Sequence, residues 1–121
     1  MTQNQWRTKI RAQMKAAGTY QEYFSSSVDA LAKILEQRDR AYKDFVDGGA
    51  QITIVYISDR GSQNEKKNPL LQAWSDLNKD ALAYYRDLGL TPAGLKRLNE
   101  EALKGEEGKR GLLDALSELG I

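Results

Sequence analysis

Cysteine and histidine are both missing from the 121 residues, and much of the chemistry open to a small protein goes with them. No disulfide can form, so stability must come from packing, within the chain or between chains. No thiolate or imidazole zinc site can be assembled, and there is no Cys or His nucleophile. A Ser-His-Asp arrangement is excluded, and no side chain titrates ordinarily near neutral pH. Proline is scarce: there are two, Pro69 and Pro92, and each stands where a helix would begin. Long apolar runs are lacking as well. The longest, Ile52 to Ile57, is interrupted by Thr53 and falls far short of the roughly 20 residues that span a bilayer. The opening M-T-Q-N-Q-W-R-T-K-I-R holds no apolar segment of the kind a secretory signal needs. The expectation is a cytoplasmic protein with no membrane partner.

What is present describes a folded domain. Hydrophobic residues at 40% and charged residues at 29% argue against wholesale disorder, and the length suits one domain with a modest core. The net charge of +1 conceals an uneven layout, because residues 1–17 carry Arg7, Lys9, Arg11 and Lys15 and no acid. A basic end on a balanced body can present an electrostatic footprint to a polyanion such as DNA. The competing reading is a solvated charged face. Lys66 and Lys67 form a second, weaker basic pair in a polar connector. On charge alone, these six residues are the candidates for DNA phosphate contacts.

Periodicity divides the chain into helices. Trp6, Ile10, Met14 and Ala17 make one apolar stripe over about residues 3–17, closed by Gly18. The longest helix is expected over about 20–47. Its seam of Phe24, Val28, Leu31, Leu35, Arg38, Tyr42 and Phe45 steps alternately by four and three, the period of a coiled-coil-like contact. So long a rod buries its stripe poorly in a domain this small, which argues for a partner helix or a neighbouring subunit. Arg38 occupies a core-type slot, where it either pairs with Asp39 or another subunit's acid, or snorkels to the edge. Gly48-Gly49 ends the rod.

Residues 51–57, Q-I-T-I-V-Y-I, are β-prone with two apolar faces, which would suit a buried strand. Three arrangements remain open: a poor hairpin with Arg60–Lys66, pairing with another chain, or an irregular packed segment. A third helix follows over about 69–88, with Asn68 as cap and Pro69 in the first position. Gly89 ends it, and Thr91-Pro92 opens a fourth over about 92–104. Then G-E-E-G-K-R-G reads as a flexible charged linker before a short terminal helix with Leu112, Leu113, Leu116 and Leu119. The whole is one domain: a basic N-terminal helix (1–17), a helical core (20–104), and a linker with C-terminal helix (105–121). The fold class is mainly α, a long-helix hairpin or bundle with one short β element.

Few residues invite chemistry. Tyr20, Tyr23, Phe24, Tyr84 and Tyr85 fall at helical core and flank spacing rather than forming a stacking platform. The acid pair Asp76/Asp80 and the neighbours Glu100-Glu101 and Glu106-Glu107 lie in surface or linker contexts with no histidine beside them. The run Gly105–Arg110 has the wrong spacing for a phosphate loop and is acidic where phosphates would sit. No catalytic residue, metal site or cofactor is expected. The leucine stripe 112–119 needs a covering surface, either the chain's own core or a partner protein.

The ordered set K67-N-P-L-L, an aromatic at Trp74, and L88-G-L-T-P-x-x-L-x-x-L resembles the phage terminase small-subunit family over roughly Tyr42 to Leu98. The resemblance implies a short helical protein that recognises viral double-stranded DNA and recruits or regulates the ATPase-nuclease large subunit of a packaging motor. It also implies a homo-oligomeric ring, for which the 24–45 seam is the candidate interface and the 112–119 leucines the candidate large-subunit contact. The N-terminal third carries no clear helix-turn-helix signature, so no DNA-reading residue is transferred by motif. The alternative function is a helical homo-oligomeric adaptor that binds proteins and not DNA.

Overall fold

The computed structural model describes residues 1–118, and their side chains except those of residues 106–110, 112, 115 and 118. The fold is mainly helical with a small two-stranded antiparallel sheet.

Helix α1, Gln3–Ala17, begins at a reciprocal cap: the Gln5 N–H donates to the Thr2 hydroxyl oxygen and the Thr2 N–H to the Gln5 side chain. It ends on Gly18 in the left-handed conformation, φ 73. The expected stripe is the buried one, Trp6, Ile10 and Met14; Ala17 is exposed.

The second helix, α2, spans Ser25–Asp47, so it starts later than the periodicity suggests. The chain has to reverse direction after α1. Extended Gln21 and a 3₁₀ turn over Glu22–Phe24 take up that reversal. α1 then runs antiparallel along α2, fixed by Gln3 N–H to the Glu36 carboxylate at 2.7 Å and by an Arg7–Asp29 ion pair.

Strand β1, Thr53–Ile57, pairs with β2, Gln63–Lys67, with Thr53 opposite Lys67 and Ile57 opposite Gln63. The turn is closed by Ser58 N–H to Ser62 O and by Gly61 at φ 79. Of the three arrangements left open by the sequence, the hairpin is the one observed. The suggestion of a buried strand does not hold: only Ile54 of β1 is even half-buried, and β2 is exposed throughout.

Helix α3, Pro69–Asp87, is capped as its sequence indicates, with Asn68 Oδ1 accepting from the Leu70 N–H at 3.0 Å. The same Asn68 donates to the carbonyl of Gln51 at 2.9 Å, which ties the hairpin's base to the helix. α3 returns antiparallel along α2, since Trp74 lies beside Tyr42 and Asn78 beside Arg38.

Helix α4 runs unbroken over Pro92–Glu118, so the expected linker at 105–111 is helical. Its glycines each cost about 1 kcal/mol relative to alanine in a helix interior. The Glu, Lys and Arg between them are good helix formers, however, and no proline follows Pro92 to stop the helix.

α2 is the central helix, with α1 and α3 packed on it. Trp6, Ile10 and Met14 of α1, Val28, Leu31, Ala32 and Leu35 of α2, and Ala81 and Leu88 at the end of α3 form one core. Six of these, Ile10, Met14, Leu31, Leu35, Leu88 and Val28, are essentially inaccessible, and each such side chain contributes on the order of 1.5–3 kcal/mol. Among the described residues, no helix is long and apolar enough to cross a membrane.

Candidate nucleic-acid and assembly surfaces

The basic residues of α1 stand in two rows. Arg7, Arg11 and Lys15 recur every four residues on one flank of the buried stripe, and Lys9 lies on the other. Their environments differ. Arg7 is half-buried, its guanidinium held by the Asp29 carboxylate and by Asn4 Oδ1 at 2.7 Å. Its charge is therefore largely balanced by Asp29. Arg11 is half-buried, and its Nε is enclosed without a hydrogen-bond partner. Lys9 and Lys15 are exposed, their ammonium groups over the rings of Trp6 at 5.1 Å and Tyr20 at 5.3 Å. These contacts orient the two lysines without removing their charge.

Lys66 and Lys67 are exposed on β2, with Lys66 over the Tyr56 ring at 5.1 Å. They lie at the other end of the molecule from Lys15. α1 begins beside Asp39, to which Trp6 Nε1 donates at 2.8 Å, and runs back toward the start of α2; the hairpin follows the end of α2. The 23 residues of α2 span about 34 Å at 1.5 Å per residue. The structure does not gather the six basic candidates into one patch.

The seam of α2 is filled largely from within the chain. Val28, Leu31 and Leu35 are completely buried and Phe45 nearly so, while Phe24 is half-buried against the core. The partner helices that the rod's length called for are α1 and α3. Arg38 pairs with Asp39, reaches Asn78 Oδ1 at 3.3 Å and lies over Trp6 at 5.7 Å. Tyr42 alone among the seam residues is more than half exposed, at 53%, and Val46 one turn later is at 48%.

Two carboxylates shape the junction of α1 with α2. Glu36 accepts from Lys33 and from the Gln3 N–H, which together hold its pKa below the ordinary glutamate range. Asp39 receives the Trp6 indole N–H and Arg38. The Tyr85 hydroxyl has its pKa raised by burial. Among the described residues, no group of acidic side chains is placed to hold a metal ion.

The C-terminal leucines are only partly described. Leu113 is exposed and Leu116 half-buried; the side chain of Leu112 and all of Leu119 lie outside the described residues. Nearer its start, α4 meets the body where Leu98, Asn99 and Ala102 line a cleft with Gly18, Thr19 and Phe24.

Sequence reasoning missed the exposure of the hairpin. Ile52, Val55, Tyr56 and Ile57 are between 42% and 70% exposed, an apolar strand left open to water. The two-faced apolar pattern suits a buried strand and does not by itself distinguish burial within the chain from pairing with another chain. It missed Gly94 too, whose place at the α3–α4 junction only packing reveals.

Helical packing of this kind occurs in many proteins, so family membership rests on comparison of sequence. Residues 3–104 match the family described as "Phage terminase, small subunit". The chain belongs to that family. The match takes in α1, α2, the hairpin, α3 and the first half of α4, well beyond the Tyr42–Leu98 stretch where the resemblance is legible by eye. No curated protein and no solved structure matches the chain. Membership in the terminase small-subunit family ties it to phage DNA packaging, and within the family's span lie both the exposed lysines of α1 and the open hairpin.

Proposed function

We propose that this chain is the non-catalytic small subunit of a phage packaging terminase, which binds viral double-stranded DNA and recruits or regulates the ATPase-nuclease large subunit. The observation that carries the reading is the family match over residues 3–104. Exposed Lys9 and Lys15, on a helix without acids, support a phosphate-contacting face. Arg11 adds charge beside them, and Lys66 and Lys67 offer a separate contact at the hairpin.

Apart from the paired Arg7, α1 of one chain supplies only Lys9, Arg11 and Lys15. A head-to-tail ring would repeat them around a closed circle and convert weak contacts into useful avidity. Tyr42 is the member of the α2 seam left available to another subunit. Among the C-terminal leucines 112, 113, 116 and 119 suggested for the large subunit, exposed Leu113 is the candidate contact. The protein would work in the host cytoplasm, where packaging substrates are found.

The neutralisation of Arg7 by Asp29 favours a second reading, a homo-oligomeric protein adaptor that does not touch DNA. Electrophoretic mobility of duplex DNA across a salt series separates the two. DNA binding predicts a shift at low salt that fades as salt rises, with the log–log slope falling by about 0.9 for each phosphate contact removed. Lys9→Ala with Lys15→Ala should flatten that slope. No shift at the lowest salt would leave the adaptor.

A further inference from the structure

The hairpin's hydrogen-bond phase shows what its outer edge offers. Asn68 N–H donates to Ile52 O and Ser58 N–H to Ser62 O, and the register pairs Ile54 with Lys66 and Tyr56 with Asn64. Even-numbered residues of β1 therefore turn their backbone groups toward β2. The N–H and C=O groups of Thr53, Val55 and Ile57 face outward along an edge that has no strand beside it among the described residues.

The two edges are not alike. β2 reads Q-N-E-K-K, with the lysines that commonly guard an edge strand. β1 reads T-I-V-Y-I, with no charge, proline or glycine. Apolar side chains stand on both of its faces, a composition that normally goes with covered faces. An isolated two-stranded hairpin is at best marginally stable in water, and nothing among the described residues covers this one.

We propose that a second copy of this chain adds a strand of its own hairpin to the open edge of β1, making Thr53–Ile57 an inner strand of an intermolecular sheet. The chemistry favours the chain's own hairpin as the occupant. The edge is uncharged, and it complements itself: paired antiparallel about Val55, two copies of β1 place Ile54 of each opposite Tyr56 of the other, an aromatic–β-branched cross-strand pair. Five residues of pairing alone fall short of the roughly 1,200 Å² that a stable interface buries. Ile52 at the hairpin's base, and Tyr42 and Val46 one turn apart on the last turns of α2, are exposed apolar residues available to enlarge it. A β1–β1 contact is two-fold and closes as a dimer, whereas β1 against a neighbour's β2 runs head to tail and can continue around a ring. The inference adds a contact to the assembly in the proposed function and does not rest on DNA contact.

Because the chain has no cysteine, single-cysteine variants report on this contact without background. Val55→Cys is oxidised alone, which captures β1 against β1, and mixed with a size-tagged Glu65→Cys, which captures β1 against β2. Ala16→Cys, exposed on α1, is the control. No DNA is present, so failure of the DNA reading leaves the result intact. The expected result is a reductant-sensitive covalent dimer in one of the two mixtures, at least tenfold above the control. Val55→Lys should lower the native mass while the helical circular dichroism stays unchanged, since the hairpin lies outside the core. Crosslinking at the control level in both mixtures, or an unchanged native mass for Val55→Lys, would overturn the proposal.

Discussion

A β-carbon on Gly94 would stand 2.0 Å from the carbonyl oxygen of Arg86. The first turn of α4 is therefore laid directly on the last turn of α3, with no room for a methyl group. Thr91 caps the same turn, its Oγ1 accepting from the Gly94 N–H at 3.1 Å. The obstacle is backbone and cannot rotate away, so Gly94→Ala is expected to destabilise by about 1–3 kcal/mol through overpacking. Thermal unfolding monitored by circular dichroism measures it. A melting temperature equal to that of the unsubstituted protein would show that the junction is looser than described.

Trp6 joins the buried stripe of α1 to the charged middle of α2. Its indole N–H donates to Asp39 at 2.8 Å while the ring is 92% enclosed, and Arg38 lies over the same ring. Trp6→Phe retains an aromatic ring but removes the donor. The expected loss is about 2 kcal/mol, typical of a hydrogen bond to a charged group. Chemical denaturation gives the number. Asp39→Asn, which keeps an acceptor, should cost less than Trp6→Phe.

The Glu36 carboxylate is held ionised by Lys33 and by the backbone N–H of Gln3. Its pKa is lower in the folded protein than in the unfolded chain, so its stabilising effect is present above the unfolded value. That effect is lost as pH falls through the folded value. The difference in stability between the unsubstituted protein and Glu36→Gln should therefore be largest near neutrality. It should shrink on acidification below the ordinary glutamate range. Denaturation midpoints of both proteins at pH 7 and pH 3 test the sign.

The unbroken α4 makes a prediction opposite to that of a flexible linker. A β-carbon at Gly105 or at Gly111 meets nothing within 4 Å, and both positions are helical. Replacing each by alanine should favour the helix by about 0.5–1 kcal/mol. Amide hydrogen exchange across residues 100–115 should slow in the double variant. In a linker the same substitutions would leave exchange unchanged.

Much of the architecture was legible because it is written in local chemistry. The stripe of Trp6, Ile10 and Met14 with Gly18 behind it marked α1 at both ends. Asn68-Pro69 and Gly89 did the same for α3. What escaped depends on longer-range arrangement. The late start of α2 follows from the need to fold back after α1, a requirement no residue of 20–24 announces. β2 is legible only as a poor hairpin partner, because its five polar residues pair through the backbone and bury nothing. The seam of α2 showed a contact without naming its partner: the same leucines fit another subunit or the chain's own α1 and α3. Of the candidate site, charge alone marked the four bases of α1, but only the fold reveals that Asp29 occupies Arg7 while Lys9 and Lys15 stay exposed.

The central claim, a multi-copy DNA-binding subunit, is tested most directly by native mass spectrometry of the full chain mixed with a linear DNA duplex. The account predicts a species containing several copies of the 13.6 kDa chain on one duplex, lost as ammonium acetate is raised. Free duplex beside single 13.6 kDa chains at every salt concentration would contradict it.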